Sequence, residues 1–116
     1  SQTRSFMYID DCVRGIDLIM HCDDLIATPI NLGSAELISI NDLVGLIEDI
    51  AGVRLERRYD LSAPRGVAGR NSDNTFIKQV LNWEPNTPLR QGMEKTYAWI
   101  KQQYEDRKAG KPTTAG

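Results

Sequence analysis

Two arginines stand where a phosphate group could be gripped. Arg4 precedes an apolar run at residues 5–9. A guanidinium at a strand start can hold a phosphate or diphosphate through two parallel N–H donors. The plainer alternative is a solvated charge, the usual fate of arginine. Arg70 lies in Gly66-Val67-Ala68-Gly69-Arg70-Asn71-Ser72-Asp73-Asn74. The glycines there let a ligand approach the backbone closely. The helix expected next offers unpaired N–H groups and a positive dipole end to an anion. Asp73 or Ser72 can equally cap that helix. Arg54, Arg57, Arg58 and Arg65 add positive charge nearby, offset by Glu56 and Asp60. Such a cluster attracts phosphates. It lacks the interleaved aromatic platform of a single-strand binder, so nucleic acid is not the expected partner.

The remaining chemical inventory is sparse. Tyr97 and Lys101 have Tyr-x-x-x-Lys spacing, which puts both on one helix face. Tyr97 also continues an apolar stripe, so a core role is expected of it. The one histidine, His21, ends a helical pattern and reads as a cation at a helix C-terminus. Cys12 and Cys22 sit ten residues apart on the same pattern, about 15 Å along the axis. That exceeds the reach of a disulfide. No His/Cys set has zinc spacing, no Gly-x-Gly-x-x-Gly is present, and no Ser/His/Asp or Cys/His set stands out. On its own residues the chain does not resemble a complete enzyme.

The elements that would position these groups follow an α/β order. Residues 5–9 predict a buried strand, and Asp10 and Asp11 open a helix with Cys12, Val13, Ile16, Ile19 and Met20 inward. Residues 30–33 predict a second strand. Ser39, with Asp42 three residues on, opens a helix by a capping-box variant. Ile40, Leu43, Val44, Ile47 and Ile50 give that helix its inward face, and Gly52 closes it. Alternation over residues 53–59 predicts a half-exposed strand, and residues 61–70 a loop. A helix over residues 73–81 carries Phe76, Ile77, Val80 and Leu81 inward. A long helix follows the Thr87-Pro88 cap, with Leu89, Met93, Tyr97, Ile100 and Tyr104 as its stripe. Residues 1–107 are expected to form the folded unit and residues 108–116 a disordered tail.

The 116 residues suit one modest domain. With 41% hydrophobic and 26% charged residues, the composition is ordinary for a globular chain. A net charge of −2 gives no overall attraction to nucleic acid or anionic membrane. No apolar stretch is long enough to span a bilayer, and no secretion signal is laid out at the start, so a cytoplasmic protein is expected. The abrupt opening and the few short strands suggest a cut edge, with strands that join a partner region elsewhere.

The string Gln2-Thr3-Arg4-Ser5-Phe6-Met7-Tyr8-Ile9-Asp10-Asp11-Cys12-Val13-Arg14-Gly15 resembles a segment of the extended short-chain dehydrogenases, the NAD-dependent epimerase/dehydratase family. Pro29-Ile30-Asn31-Leu32-Gly33-Ser34 and the stretch from Leu81 to Met93, with Trp83 and Pro85, are similar to later parts of that family. The resemblance covers roughly residues 2–104. Gln2-Thr3-Arg4, Gly69-Arg70-Asn71-Ser72-Asp73-Asn74 and Thr96-Tyr97-Ala98-Trp99-Ile100-Lys101 sharpen it toward the GDP-mannose 3,5-epimerases. Two positions depart from the pattern: Ala68 stands where an arginine is usual, and Asn82 where glycine precedes the tryptophan.

The resemblance implies the C-terminal, sugar-nucleotide-binding part of a Rossmann enzyme, with about four helices and few short strands. Gln2, Thr3, Arg4 and Arg70 become substrate residues, with both arginines on the diphosphate. It implies NAD in the intact enzyme, held outside this chain, no catalytic residue here, GDP-mannose as substrate and a homodimer. Tyr97 and Lys101 are then not the catalytic pair, and the isolated chain would be inactive. The alternatives are a UDP-glucose 4-epimerase-like or dehydratase-like member, or a non-enzymatic module that docks anions through its arginines.

Overall fold

The computed structural model describes residues 2–114. The described residues form four α-helices and a small three-stranded sheet. The strands are β1 (Thr3–Arg4), β2 (Ile38–Ser39) and β3 (Gly69–Arg70), and the helices are α1 (Ile9–Met20), α2 (Ile40–Ala51), α3 (Thr75–Leu81) and α4 (Leu89–Lys108). β1 is central, antiparallel to β2 and parallel to β3. The fold is the α/β arrangement expected, with its strands elsewhere than expected.

Residues 5–9, 30–33 and 53–59 form no strand, and β3 falls inside the segment expected as loop. A strand needs a neighbour to complete its hydrogen bonds. The backbone at Tyr8 is extended (φ −67°, ψ 144°), yet residues 6–8 have no paired strand among the described residues. Residue type and pattern report an extended tendency; the neighbour decides whether a ladder forms.

The helices follow their local signals closely. Ser39 caps α2: its Oγ accepts the Asp42 N–H at 3.0 Å and donates to the Asp42 carboxylate at 2.6 Å. Gly52 ends α2 at φ 69°, a left-handed conformation that glycine adopts without strain. Asp10 and Asp11 lie in the first turn of α1, although the N-cap is Tyr8. Asp11 instead is buried, and its carboxylate accepts the N–H groups of Asn86 (3.2 Å) and Thr87 (2.8 Å). The cap of α4 is Pro88 rather than Thr87, and the Leu89 N–H donates to the Glu36 carboxylate at 3.0 Å. α4 continues through Lys108, where a tail was expected to begin, and the Thr114 N–H donates to Gln103 at 2.9 Å.

Among the described residues the buried hydrophobic core is small: Leu25, Ile77 and Leu89. α1 turns a different face inward from the one expected. Gly15 is buried, and a Cβ there would stand 2.5 Å from Leu32 and 3.1 Å from Trp83. Ile9, Val13, Ile16 and Met20 lie outward, between 48% and 77% exposed. Trp99, Ile100 and Tyr104 of α4 are also exposed, so the expected stripe is buried only toward Leu89. Cys12 and Cys22 are free thiols. The surface is 8815 Å² for 13.0 kDa, against about 6,300 Å² for a compact monomer of this mass. The radius of gyration is 17.4 Å, against about 13 Å for a compact chain of this length.

Candidate functional site

The sheet brings the two arginines together. In the β1–β3 register Arg4 pairs with Arg70 and Thr3 with Gly69. Paired residues on adjacent strands project from the same face, with backbones about 4.8 Å apart. Arg4 and Arg70 are therefore neighbours across the sheet, although 66 positions separate them in sequence. Neither forms an ion pair with a carboxylate among the described residues. Two arginines paired in register with no carboxylate partner leave positive charge on that face that an anion could neutralise.

Arg4 is fixed by its own strand and by the chain opposite. Its Nη1 donates to the carbonyls of Thr3 and Val67, both at 2.7 Å. Its Nη2 lies 3.1 Å from where a Gly66 Cβ would be, so glycine leaves room for the guanidinium. Arg70 is exposed. Alternation puts Thr3 on the opposite face. There its Oγ1 lies 2.5 Å from where a Gly69 Cβ would stand, and Gly69 permits the close pairing. The Thr3 backbone N–H donates to Ala68 O at 2.9 Å, and its hydroxyl to the same carbonyl at 3.4 Å. Thr3 thus ties β1 to the neighbouring segment rather than facing the arginines.

Gln2 opens onto a cavity of about 440 Å³ whose wall is Asp60, Leu61, Ala63, Pro64, Arg65, Gly66 and Ala68. That size is in the range of small-molecule sites. Sequence reasoning named Asp60, Arg65, Gly66 and Ala68 but missed Leu61, Ala63 and Pro64 of this wall. Its signal was the Asp60-x-Ser62 turn: the Ser62 hydroxyl and N–H donate to Asp60 Oδ1 at 2.6 and 2.9 Å. Those bonds hold the Asp60 carboxyl below its ordinary range. An ionised Asp60 suits hydroxyl donors and disfavours an anion beside it.

The anion site expected at the start of α3 is filled by the chain itself. The Thr75 N–H and hydroxyl donate to Asp73 Oδ1 at 3.0 and 2.7 Å, which lowers the Asp73 carboxyl's pKa. Ser72 donates to Asn74, and buried Asn74 donates to Gly33 O at 3.0 Å. The arginine cluster also divides. Arg54 and Arg57 pair with Glu48, and Arg54 with Asp49, so only part of the charge faces outward. His21 is exposed at the end of α1 and pairs with Asp17, one turn back, at 3.3 Å. Lys101 lies 4.0 Å from Glu105. No His/Cys/Asp/Glu group among the described residues could hold a metal ion, and no described helix is long and apolar enough to cross a membrane.

No family model matches the chain. It is 42% identical over 108 residues to GDP-mannose 3,5-epimerase of Arabidopsis thaliana, covering 93% of this chain and 28% of that protein. To GDP-mannose 3,5-epimerase 1 of Oryza sativa subsp. indica it is 41% identical over 115 residues, covering 99% of this chain and 30% of that protein. UDP-glucuronic acid decarboxylase 1 of Danio rerio is 32% identical over 105 residues, with 90% of this chain and 25% of that protein covered. Among solved structures, UDP-glucuronic acid 4-epimerase from Bacillus cereus in complex with NAD superposes with a TM-score of 0.68 at 30% identity, over 90% of this chain and 31% of that one. The chain thus spans less than a third of the length of these relatives.

Proposed function

The chain is a C-terminal part of the NAD-dependent epimerase/dehydratase family of extended short-chain dehydrogenases, and on that premise we propose that it binds the nucleotide-sugar substrate of a GDP-mannose 3,5-epimerase-like enzyme. The observation that carries the proposal is the pairing of Arg4 with Arg70 beside the cavity that Gln2 opens. The arginines would take the diphosphate, Gln2 and Asp60 the hydroxyl-bearing part of the ligand, and Thr3 would hold β1 in place for them. Such binding far from the reacting carbon supplies orientation to the catalytic step.

NAD is the family's cofactor, and the residues present here do not fit it. They lack the glycine fingerprint that opens a dinucleotide-binding helix, and the three two-residue strands among the described residues give no crossover sheet edge for one. No step of the chemistry is therefore assigned to this chain. The oxidation and re-reduction of the sugar, the homodimer and the cytoplasmic setting belong to the whole enzyme in this proposal. The similarity to the plant GDP-mannose epimerases favours that substrate over a UDP-sugar. The pairing of Arg54 and Arg57 with carboxylates disfavours a general polyanion-binding module.

The test is titration of GDP-mannose into the labelled chain by NMR, with heparin as a polyanion control. Shifts should cluster at Gln2, Arg4 and Arg70. Arg4→Ala and Arg70→Ala should each weaken binding roughly tenfold to a hundredfold, the value of one or two charge-assisted bonds. Shifts with heparin alone, unaffected by either substitution, would reject the proposal.

A further inference from the structure

The wall of the cavity belongs to a segment that ordinary packing does not hold. Residues 53–66 contain no helix or strand, and every one of them is exposed. Their far end nevertheless supplies Asp60, Leu61, Ala63, Pro64, Arg65 and Gly66 to the cavity. Hydrophobic burial cannot fix such a segment, so polar contacts must.

Those contacts converge on α2. Glu48, in its last turns, is only 4% exposed although it is a carboxylate. Its Oε2 accepts Arg57 Nη2 at 3.0 Å, and its Oε1 accepts the Leu55 N–H at 3.2 Å. Arg54 lies 3.6 Å from the same Oε2 and 2.8 Å from Asp49. At the other end of α2, Asn41 O accepts Arg57 Nη1 at 3.1 Å, and Asn41 Oδ1 accepts the Tyr59 hydroxyl at 3.0 Å. The segment therefore leaves α2 at Gly52 and runs back along it to Asn41. From there the path to the site is short. α2 begins at Ile40, whose N–H donates to Gln2 O at 3.1 Å, and β2 pairs with β1. A buried carboxylate is costly unless paired and hydrogen-bonded, and here all of its bonds go to the arm.

We propose that Glu48, acting through Arg57, is a positioning residue for the cavity, setting where Asp60 and Arg65 stand relative to Gln2. It does not touch the ligand. Its effect on affinity rests on the nucleotide-sugar reading, whereas its effect on the order of the arm does not. The groups that face it are Arg57, Arg54 and the Leu55 N–H from the arm, with Asp49 beside it on α2 and Tyr59 beyond Arg57. The Arg57 hydrogen bond holds the Glu48 carboxyl below its ordinary value of 4.5, and the Leu55 N–H adds to this against the effect of burial. With the folded value depressed, the latch is complete above pH 4.5 and opens only as pH falls through the lower, folded value.

The experiment uses the full 116-residue chain with Arg57→Gln, whose side chain is near the surface, and Glu48→Gln. In both variants amide exchange at Leu55 should accelerate roughly tenfold, and residues 58–66 should lose order in ¹⁵N relaxation. Amides around Ile77 and Leu89 should be unchanged. GDP-mannose affinity should fall roughly tenfold, with Arg57→Lys restoring part of it, since a lysine supplies the charge without the two-pronged contact. An arm that stays ordered in Arg57→Gln would overturn the proposal, as would a loosened arm with unaltered affinity. A wild-type chain that binds no nucleotide sugar would remove the nucleotide-sugar reading and with it the affinity half of the proposal. The exchange measurement would then decide the latch alone.

Discussion

The two sides of the molecule are held together by different forces. On the side of β1, β2, β3 and α2, backbone pairing and charged side chains fix the chain: Thr3 to Ala68, Ser39 to Asp42, Arg57 to Glu48. On the side of α1 and the outer face of α4, apolar side chains stand in solvent: Ile9, Val13, Ile16, Met20, Trp99 and Ile100. The bonds named on the first side all form within this chain, although Val53, Leu55 and Leu61 beside α2 also stand in solvent. Apolar faces gain stability only when covered, and the second side is not covered here. The chain's surface is some 2,500 Å² larger than a compact monomer's, and the uncovered faces and the exposed segment 53–66 both contribute to it. In relatives more than three times as long, a face of this kind has further chain available to cover it.

The sharpest way to break the comparison is Ile16→Asp. In this chain alone the change falls on an exposed position and should alter stability by about 0.5 kcal/mol or less. In the same chain joined to an NAD-binding half, the aspartate would be buried without a partner and should cost about 3–5 kcal/mol. Urea unfolding of both polypeptides measures it. Equal effects in the two would mean that α1's outer face stays in solvent in the longer protein as well.

A substitution on α1's inner face should act in both contexts. Gly15→Val would drive side-chain atoms into Leu32 and Trp83, where even a Cβ stands at 2.5 and 3.1 Å. Overpacking of this kind costs about 1–3 kcal/mol, readable as a lower thermal midpoint of the chain alone. An unchanged midpoint would mean that Leu32 moves aside freely and that α1 is loosely docked on both faces.

The same division governs what could be read from the sequence. Features that depend on neighbours in sequence were legible: the Ser39 cap, the Gly52 terminus and the spans of α1, α2 and α3. Features that depend on a partner strand were not. Residues 5–9 have the apolar, aromatic run of a strand and residues 53–59 its alternation, yet neither forms a ladder, whereas Gly69 and Arg70 pair with β1 from inside a glycine-rich loop. Arg4 and Arg70 could be picked out by type and by resemblance, but their adjacency is a property of register. Glu48 was overlooked because it is charged. Its spacing of four from Val44 and three from Ala51 on α2 already placed a carboxylate on the half-buried stripe. At the start of α3 the sequence offered both an anion site and a cap by Asp73, and the structure shows the Asp73 carboxylate taking the Thr75 N–H.

The smallest expected effect tests whether the polar side is held by separable parts. Ser39 has two roles: its backbone pairs with Thr3 across β1–β2, and its hydroxyl caps α2. Ser39→Ala removes the hydroxyl and leaves the pairing. Losing an N-cap of this type costs about 1 kcal/mol, which should lower the urea midpoint without changing the slope of the transition. GDP-mannose affinity should stay within about twofold, since Gln2, Arg4 and Arg70 keep their backbone register and the Glu48 latch is a separate set of bonds. A tenfold loss of affinity would mean that the start of α2 and the arm move as one body. The latch would then set the site through the whole helix rather than through Arg57 alone.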